Sequence, residues 1–194
     1  MKLAIVKYNA GNIQSVSFAL ERLGVSFDII DDAEKIKSAD KVLFPGVGEA
    51  NSTMRYLQEK KLDRVIQQLT QPVLGICLGM QLLCKFSEEN NTDCLGIFDE
   101  TVKRFLPKGD MKVPHMGWNQ LALSGGWLDQ TLDQQNVYFV HSYYVPVNTH
   151  TAAITEYIEP FSAAMKKDNF YAVQFHPEKS AEAGERVLKN FLAL

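Results

Sequence analysis

The sequence predicts an α/β protein with a mostly parallel central sheet flanked by helices and an additional antiparallel β portion in its second half. Three observations carry this expectation. Up to Cys77, four short apolar runs alternate with stretches of helical periodicity, the pattern of βαβ units that build a parallel sheet. Between residues 96 and 175, short β-like runs follow one another, as in antiparallel pairing. The 194 residues contain no linker, low-complexity tract or internal repeat, which makes 1–194 a single domain with a sizeable core.

Residues 2–7 form an apolar first strand that runs into a polar, glycine-containing loop, Tyr8-Asn9-Ala10-Gly11-Asn12. A charge inside so short an apolar stretch reads as a strand, not a signal peptide, and no segment is long enough to span a membrane. Ile13, Val16, Ala19, Leu20 and Leu23 recur at helical spacing, and Gly24 ends that helix. Residues 25–30 are a second strand; after Asp31-Asp32 a short helix reaches about Ser38. A third strand, 41–44, is stopped by Pro45-Gly46-Val47-Gly48. Helical patches at 50–59 and 62–69 precede the strand 73–76. Beyond Cys77 an apolar-periodic helix includes Leu82, Leu83 and Phe86, with Cys84 as a core residue on it. The later runs are 101–105, 120–123, 137–140, 151–156 and 170–175, and Asp168-Asn169 turns a hairpin between 163–166 and 170–175. A closing helix over 181–192 carries Val187, Leu188, Phe191 and Leu192 on one face.

Composition narrows the function classes. A net charge of −3 without a long basic run argues against nucleic acid as the main partner. Cys77, Cys84 and Cys94 are odd in number and lack CxxC spacing, so neither a disulfide framework nor a zinc ribbon is expected. They fit a reducing, cytoplasmic setting. No H-E-x-x-H or comparable spacing occurs, and neither a metal nor another cofactor is expected.

In parallel sheets, ligands bind beyond the carboxyl ends of the strands, where both Cys77 and the Pro45–Gly48 loop fall. Cys77 sits at a strand-to-helix turn with Gly75 two residues before it and Gly79 two after. Such a bracket suits a nucleophile elbow, whose strained backbone squeezes the flanking residues together. The helix start also favours a thiolate there. A nucleophile needs a base, and the chain offers one about a hundred residues downstream in Phe175-His176-Pro177-Glu178. Proline biases His176 to an extended conformation, in which residues i and i+2 project together, so Glu178 can orient the imidazole.

Gly75-Ile76-Cys77-Leu78-Gly79-Met80-Gln81 together with His176-Pro177-Glu178 resembles the class I (triad) glutamine amidotransferases over the whole chain. That resemblance implies a flavodoxin-like fold and a Cys77–His176–Glu178 triad that splits glutamine into glutamate and ammonia. An oxyanion hole is implied at the backbone of Leu78 and Val47. Gly48, Gln81, Glu89, Ser142 and Tyr143 are implied to bind glutamine. Within the family, Tyr8-Asn9-Ala10-Gly11-Asn12, Pro45-Gly46-Val47-Gly48, Pro114-His115-Met116-Gly117-Trp118-Asn119, His141-Ser142-Tyr143-Tyr144 and His176-Pro177-Glu178-Lys179-Ser180 are similar to the glutaminase subunits of imidazole glycerol phosphate synthase. Met80 stands where glutaminases for anthranilate or carbamoyl phosphate typically have His, whereas Glu49-Ala50 departs from the family pattern. The resemblance implies a partner, a (β/α)8-barrel cyclase in a heterodimer, with Asn12, Trp118 and Lys179 at the interface. On sequence grounds Trp118 is as readily a core residue as an interface anchor, and His141 reads as a partner in a strand-end hydrogen bond. A glutaminase for another synthase, or a γ-glutamyl hydrolase or cysteine peptidase on the same elbow, remains an alternative.

Overall fold

The computed structural model describes residues 1–8 and 13–194, so Asn12 and most of the Tyr8–Asn12 motif lie outside the described residues. Strand β1 (Leu3–Val6) leads to α1 (Ile13–Arg22), β2 (Phe27–Ile30), α2 (Ala33–Lys37), β3 (Lys41–Gly46), α3 (Ala50–Glu59), α4 (Leu62–Gln67) and β4 (Val73–Cys77). The elbow helix α5 (Leu78–Leu83) follows directly. Then come β5 (Cys84–Ser87), β6 (Thr92–Asp93), β7 (Phe98–Arg104), β8 (His115–Gln120), β9 (Ala122–Leu123) and β10 (Asn136–His141). The chain finishes through β11 (Tyr143–Tyr144), β12 (Thr151–Thr155), β13 (Phe161–Lys167), β14 (Phe170–Val173) and α6 (Ala181–Leu192).

The main sheet has the order β2-β1-β3-β4-β14-β13-β12-β9. Its β2-to-β14 half is parallel, and β14, β13, β12 and β9 pair antiparallel. Every residue of β1 is buried, with Leu3 and Ile5 in one apolar cluster and Ala4 and Val6 in another. A strand buried on both faces is what a helix-covered parallel sheet requires. Two smaller sheets, β10-β8 and β11-β7-β5-β6, sit beside the carboxyl ends of the parallel strands and wall the site.

Local chemistry fixes the element ends. Asp32 caps α2 by accepting from the backbone N–H of Lys35 at 2.9 Å. Glu49 caps α3 by accepting from the N–H groups of Asn51 and Ser52. Gly24 closes α1 at φ +69°, and Asp168 turns the β13–β14 hairpin at φ +50°.

Four expectations need correction. Phe86 and Cys84 are not on the elbow helix, which ends at Leu83; from Cys84 the backbone is extended and pairs with β7. Cys84 stays in the core, now as a strand residue. Strand β3 runs on through Pro45 to Gly46, because β1 pairs with it only as far as Leu43 and leaves the proline with a single neighbour, β4. The 120–123 run splits between two sheets around buried Leu121, and residues 115–120 form an unanticipated strand, β8.

Candidate active site

The site is built outward from the turn between β4 and α5. Cys77 has φ +53° and ψ −110°, a strained conformation for a residue with a side chain. Its neighbours permit it: a Cβ on Gly79 would come within 1.8 Å of the Phe44 carbonyl oxygen, and one on Gly75 within 3.0 Å of the Gly79 backbone. Without side chains there, α5 packs hard against β3 and β4. The thiol is carried to the edge of a cavity of about 430 Å³.

That cavity is lined by nine sequence-identified residues: Val47, Gly48, Cys77, Leu78, Gln81, Glu89, Ser142, Tyr143 and His176. Pro114, Val140 and His141 complete it. Glu178 is not on its wall; it stands behind the imidazole, bordering a separate cleft between α1 and α6. There it accepts from His176 Nδ1 at 2.8 Å, with both side chains enclosed by protein. A backbone bond from His176 N–H to the Tyr138 carbonyl, at 2.9 Å, ties His176 to β10. Burial pulls the His176 pKa down, but hydrogen bonds to Cys77 and Glu178 and the charge on both outweigh it and push the pKa up to about 10. The imidazole is therefore a proton holder poised between sulfur and carboxylate.

Gln174 was not anticipated as a site residue. Fully buried two residues before His176, it donates from Nε2 to the Cys77 sulfur at 3.7 Å. Gln81 donates from Nε2 to Gln174 Oε1 at 3.0 Å and to the Tyr143 carbonyl at 2.9 Å, so its N–H groups are used within the protein. Alternation was the available signal, because an extended segment sends residues 174 and 176 to one side.

Glu89 accepts from the backbone N–H of Ala50 at 2.8 Å, and Glu49 accepts from Asn90 Nδ2 at 2.7 Å. The turn carrying Glu89 is thus bolted to the start of α3, just after the Gly46–Gly48 loop. Burial and the neighbouring Glu49 carboxylate raise the Glu89 pKa, while the Ala50 bond opposes them. At the other end of the loop, the Tyr8 hydroxyl donates to the Pro45 carbonyl.

Trp118 is 54% exposed, so the core reading of this tryptophan fails. On the outward face of β8 it meets Tyr138 edge-on at 6.0 Å, and Lys179 Nζ lies 5.9 Å from the centre of the Tyr138 ring. Trp118 and Lys179 therefore belong to one patch, joined by a tyrosine that sequence reasoning did not single out. Met116, 63% exposed, extends it along the same strand. His141 makes the expected strand-end bond, donating from Nδ1 to the Tyr143 carbonyl at 2.7 Å. Among the described residues, no group of three or more His, Cys, Asp or Glu side chains is placed to hold a metal ion.

Comparison with known proteins gives consistent results. The glutamine amidotransferase class-I family matches residues 4–194. Imidazole glycerol phosphate synthase subunit HisH of Bacteroides fragilis (strain YCH46) is 64% identical, with all of both chains covered. The protein of the same name from Haemophilus influenzae is 47% identical over 99% of this chain and 97% of its own. A solved structure described as a glutamine amidotransferase superposes with a TM-score of 0.75 at 18% identity, covering 98% of this chain and 97% of that one. A glutamine amidotransferase from Thermotoga maritima gives 0.64 at 18% identity, over 100% and 83%. At such identities the structures speak for the fold alone.

Proposed function

The chain belongs to the class I glutamine amidotransferases, and from that premise we propose that it is the glutaminase subunit of an imidazole glycerol phosphate synthase, acting in histidine biosynthesis. The observation that carries the chemistry is the His176–Glu178 pair at 2.8 Å, hydrogen-bonded on to a strained Cys77 at the mouth of the cavity.

Cys77 sulfur attacks the side-chain carbonyl of glutamine, and the carbon becomes tetrahedral with an oxyanion. Glu178 fixes the imidazole and stabilises its charged form. His176, holding the proton, delivers it to the departing nitrogen, and ammonia leaves behind a thioester. Water activated by the now neutral His176 then releases glutamate. Backbone N–H of Leu78, the residue after the nucleophile, and of Val47 are the oxyanion donors in this reading. Gly48, Gln81, Glu89, Ser142 and Tyr143 bind the amino-acid end, with the Glu89 carboxylate suited to the ammonium.

Ammonia released to water would be protonated and lost, so a glutaminase of this kind needs an acceptor-binding partner. The relatives' name as synthase subunits supports one. We take it to be a (β/α)8-barrel cyclase in a cytoplasmic heterodimer, forming imidazole glycerol phosphate and aminoimidazole carboxamide ribotide. The Trp118–Tyr138–Lys179 patch is its docking surface, and Asn12, outside the described residues, is a further interface candidate by the family resemblance alone. The test is to mix this chain with candidate synthase subunits and measure glutamate formation. Stimulation by the cyclase and by no other synthase is expected; equal stimulation by an anthranilate synthase subunit would contradict the assignment.

A further inference from the structure

His115 and His141 take no part in the chemistry above, yet both are buried beside the cavity and joined to each other. His115 Nδ1 lies 3.0 Å from His141 Nε2. On one side, His141 Nδ1 is 2.7 Å from the Tyr143 carbonyl oxygen, an atom that can only accept, so the His141 proton is on Nδ1. On the other, Asn119 is oriented by two backbone groups: its Oδ1 accepts from Gln120 N–H at 2.8 Å and its Nδ2 donates to the Glu156 carbonyl at 2.8 Å. The Asn119 atom facing His115 Nε2, at 3.4 Å, is therefore a donor, and the His115 proton is also on Nδ1. Both ends of the chain demand the same proton arrangement. Aromatic rings enclose it: His115 stacks on Tyr157 at 4.0 Å and on Phe139 at 4.9 Å, and Phe161 lies 5.0 Å from His141. Burial lowers the pKa of His115 to about 4 and that of His141 to about 3, which keeps both rings neutral near pH 7.

The Tyr143 carbonyl is a junction, because it also accepts from Gln81 Nε2. Gln81 holds Gln174, and Gln174 donates to the Cys77 sulfur. An unbroken hydrogen-bonded chain thus runs Asn119, His115, His141, Tyr143 carbonyl, Gln81, Gln174, Cys77. We infer that His115 and His141 are positioning residues for the glutaminase reaction: a pair of neutral imidazoles, each protonated on Nδ1, fixes the Tyr143 carbonyl and through it the two glutamine side chains at the nucleophile. This rests on the glutaminase reading of the Cys77 site. Losing the His141 donor removes one of the bonds that set the Tyr143 carbonyl in the cavity wall, which also shifts the acceptor that Gln81 uses; Phe105 N–H to the Ser142 carbonyl and the β11–β7 pairing keep the segment folded.

The test compares His141→Phe and His115→Phe, which keep a ring but remove the donor, with His141→Asn and His115→Asn, which place an N–H where Nδ1 stood. Each variant is assayed in complex with the synthase subunit, with Cys77→Ser alongside. The phenylalanine variants should lower glutamine-dependent kcat/KM about 10- to 100-fold, the range for a misplaced site, with ammonia-dependent synthesis retained. The asparagine variants should recover most of the loss. A folded phenylalanine variant with unchanged kcat/KM overturns the inference, as does equal loss in both kinds of variant. Nitrogen-15 NMR of the wild-type imidazoles decides the case if a phenylalanine variant does not fold: Nδ1–H on both rings is expected, and Nε2–H on either overturns it. Glutaminase that survives Cys77→Ser sinks the underlying reading instead.

Discussion

His115, His141 and His176 are all buried, yet their pKa values move in opposite senses, and the sum shapes stability against pH. Burial puts the folded-state values of His115 and His141 at about 4 and about 3, below the ordinary histidine value near 6.5. Below pH 6.5 the unfolded chain therefore binds protons that the folded chain refuses, and stability falls with pH. With two such groups the slope is on the order of 2–3 kcal/mol per pH unit near pH 5. For His176 the sign reverses. Its folded value of about 10 makes its contribution complete below pH 6.5 and lost as pH rises toward 10. Thermal unfolding followed across pH should peak near pH 6–7, and His115→Phe should flatten the acid limb by about half; an unaltered acid limb would refute the account of the pair. Gln174 has a different role, since it holds both the Cys77 sulfur and Gln81. Gln174→Leu leaves a buried Gln81 N–H unpaired, which should cost about 1–3 kcal/mol in urea denaturation. It should also lower glutamine-dependent kcat/KM while sparing ammonia-dependent synthesis.

At the scale of elements, the elbow is made by close approach more than by helix propensity. Gly79 rides against the Phe44 carbonyl and Gly46 against the Tyr8 hydroxyl. Because Gly79→Ala would drive a Cβ into backbone atoms that cannot yield, it should destabilise the fold by about 3 kcal/mol. A loss below 1 kcal/mol would mean that β3 and α5 are less tightly locked than they look. The parallel half was legible in the sequence because helix caps, glycine stops and buried strands all leave local marks there. The closing helix over Ala181–Leu192 likewise matches its apolar face. The region after Cys84 was not legible. Leu82, Leu83 and Phe86 fit one helical face, but the pairing of Cys84–Ser87 with β7 is a long-range choice that local periodicity does not carry. Strand β8 was hidden for a related reason: its inward residues are His115, Gly117 and Asn119, and its outward ones include Met116 and Trp118, which inverts the usual alternation.

For the whole molecule, the two faces of the β10-β8 sheet join the account together. On one side is the histidine pair; on the other, Trp118, Tyr138 and Lys179 form an aromatic, cationic patch, and the end of β10, at Val140 and His141, reaches the cavity. The proposed triad residues Cys77, His176 and Glu178 lie in short signatures that the sequence displays, whereas Gln174, Tyr138 and His115 are brought to the site only by tertiary contacts. Tryptophans at interface centres are often worth about 2 kcal/mol or more on truncation. Trp118→Ala should therefore weaken the affinity for the synthase subunit about 30-fold while the chain stays folded, and unchanged affinity by calorimetry would remove the patch from the interface. The central claim is that Cys77 generates ammonia for a partner's synthesis. It is tested most directly by assaying Cys77→Ser, assembled with the cyclase, with glutamine and then with ammonium salts. The account predicts that glutamine-dependent synthesis is abolished and ammonia-dependent synthesis kept; full glutamine-dependent synthesis by the serine variant would contradict it.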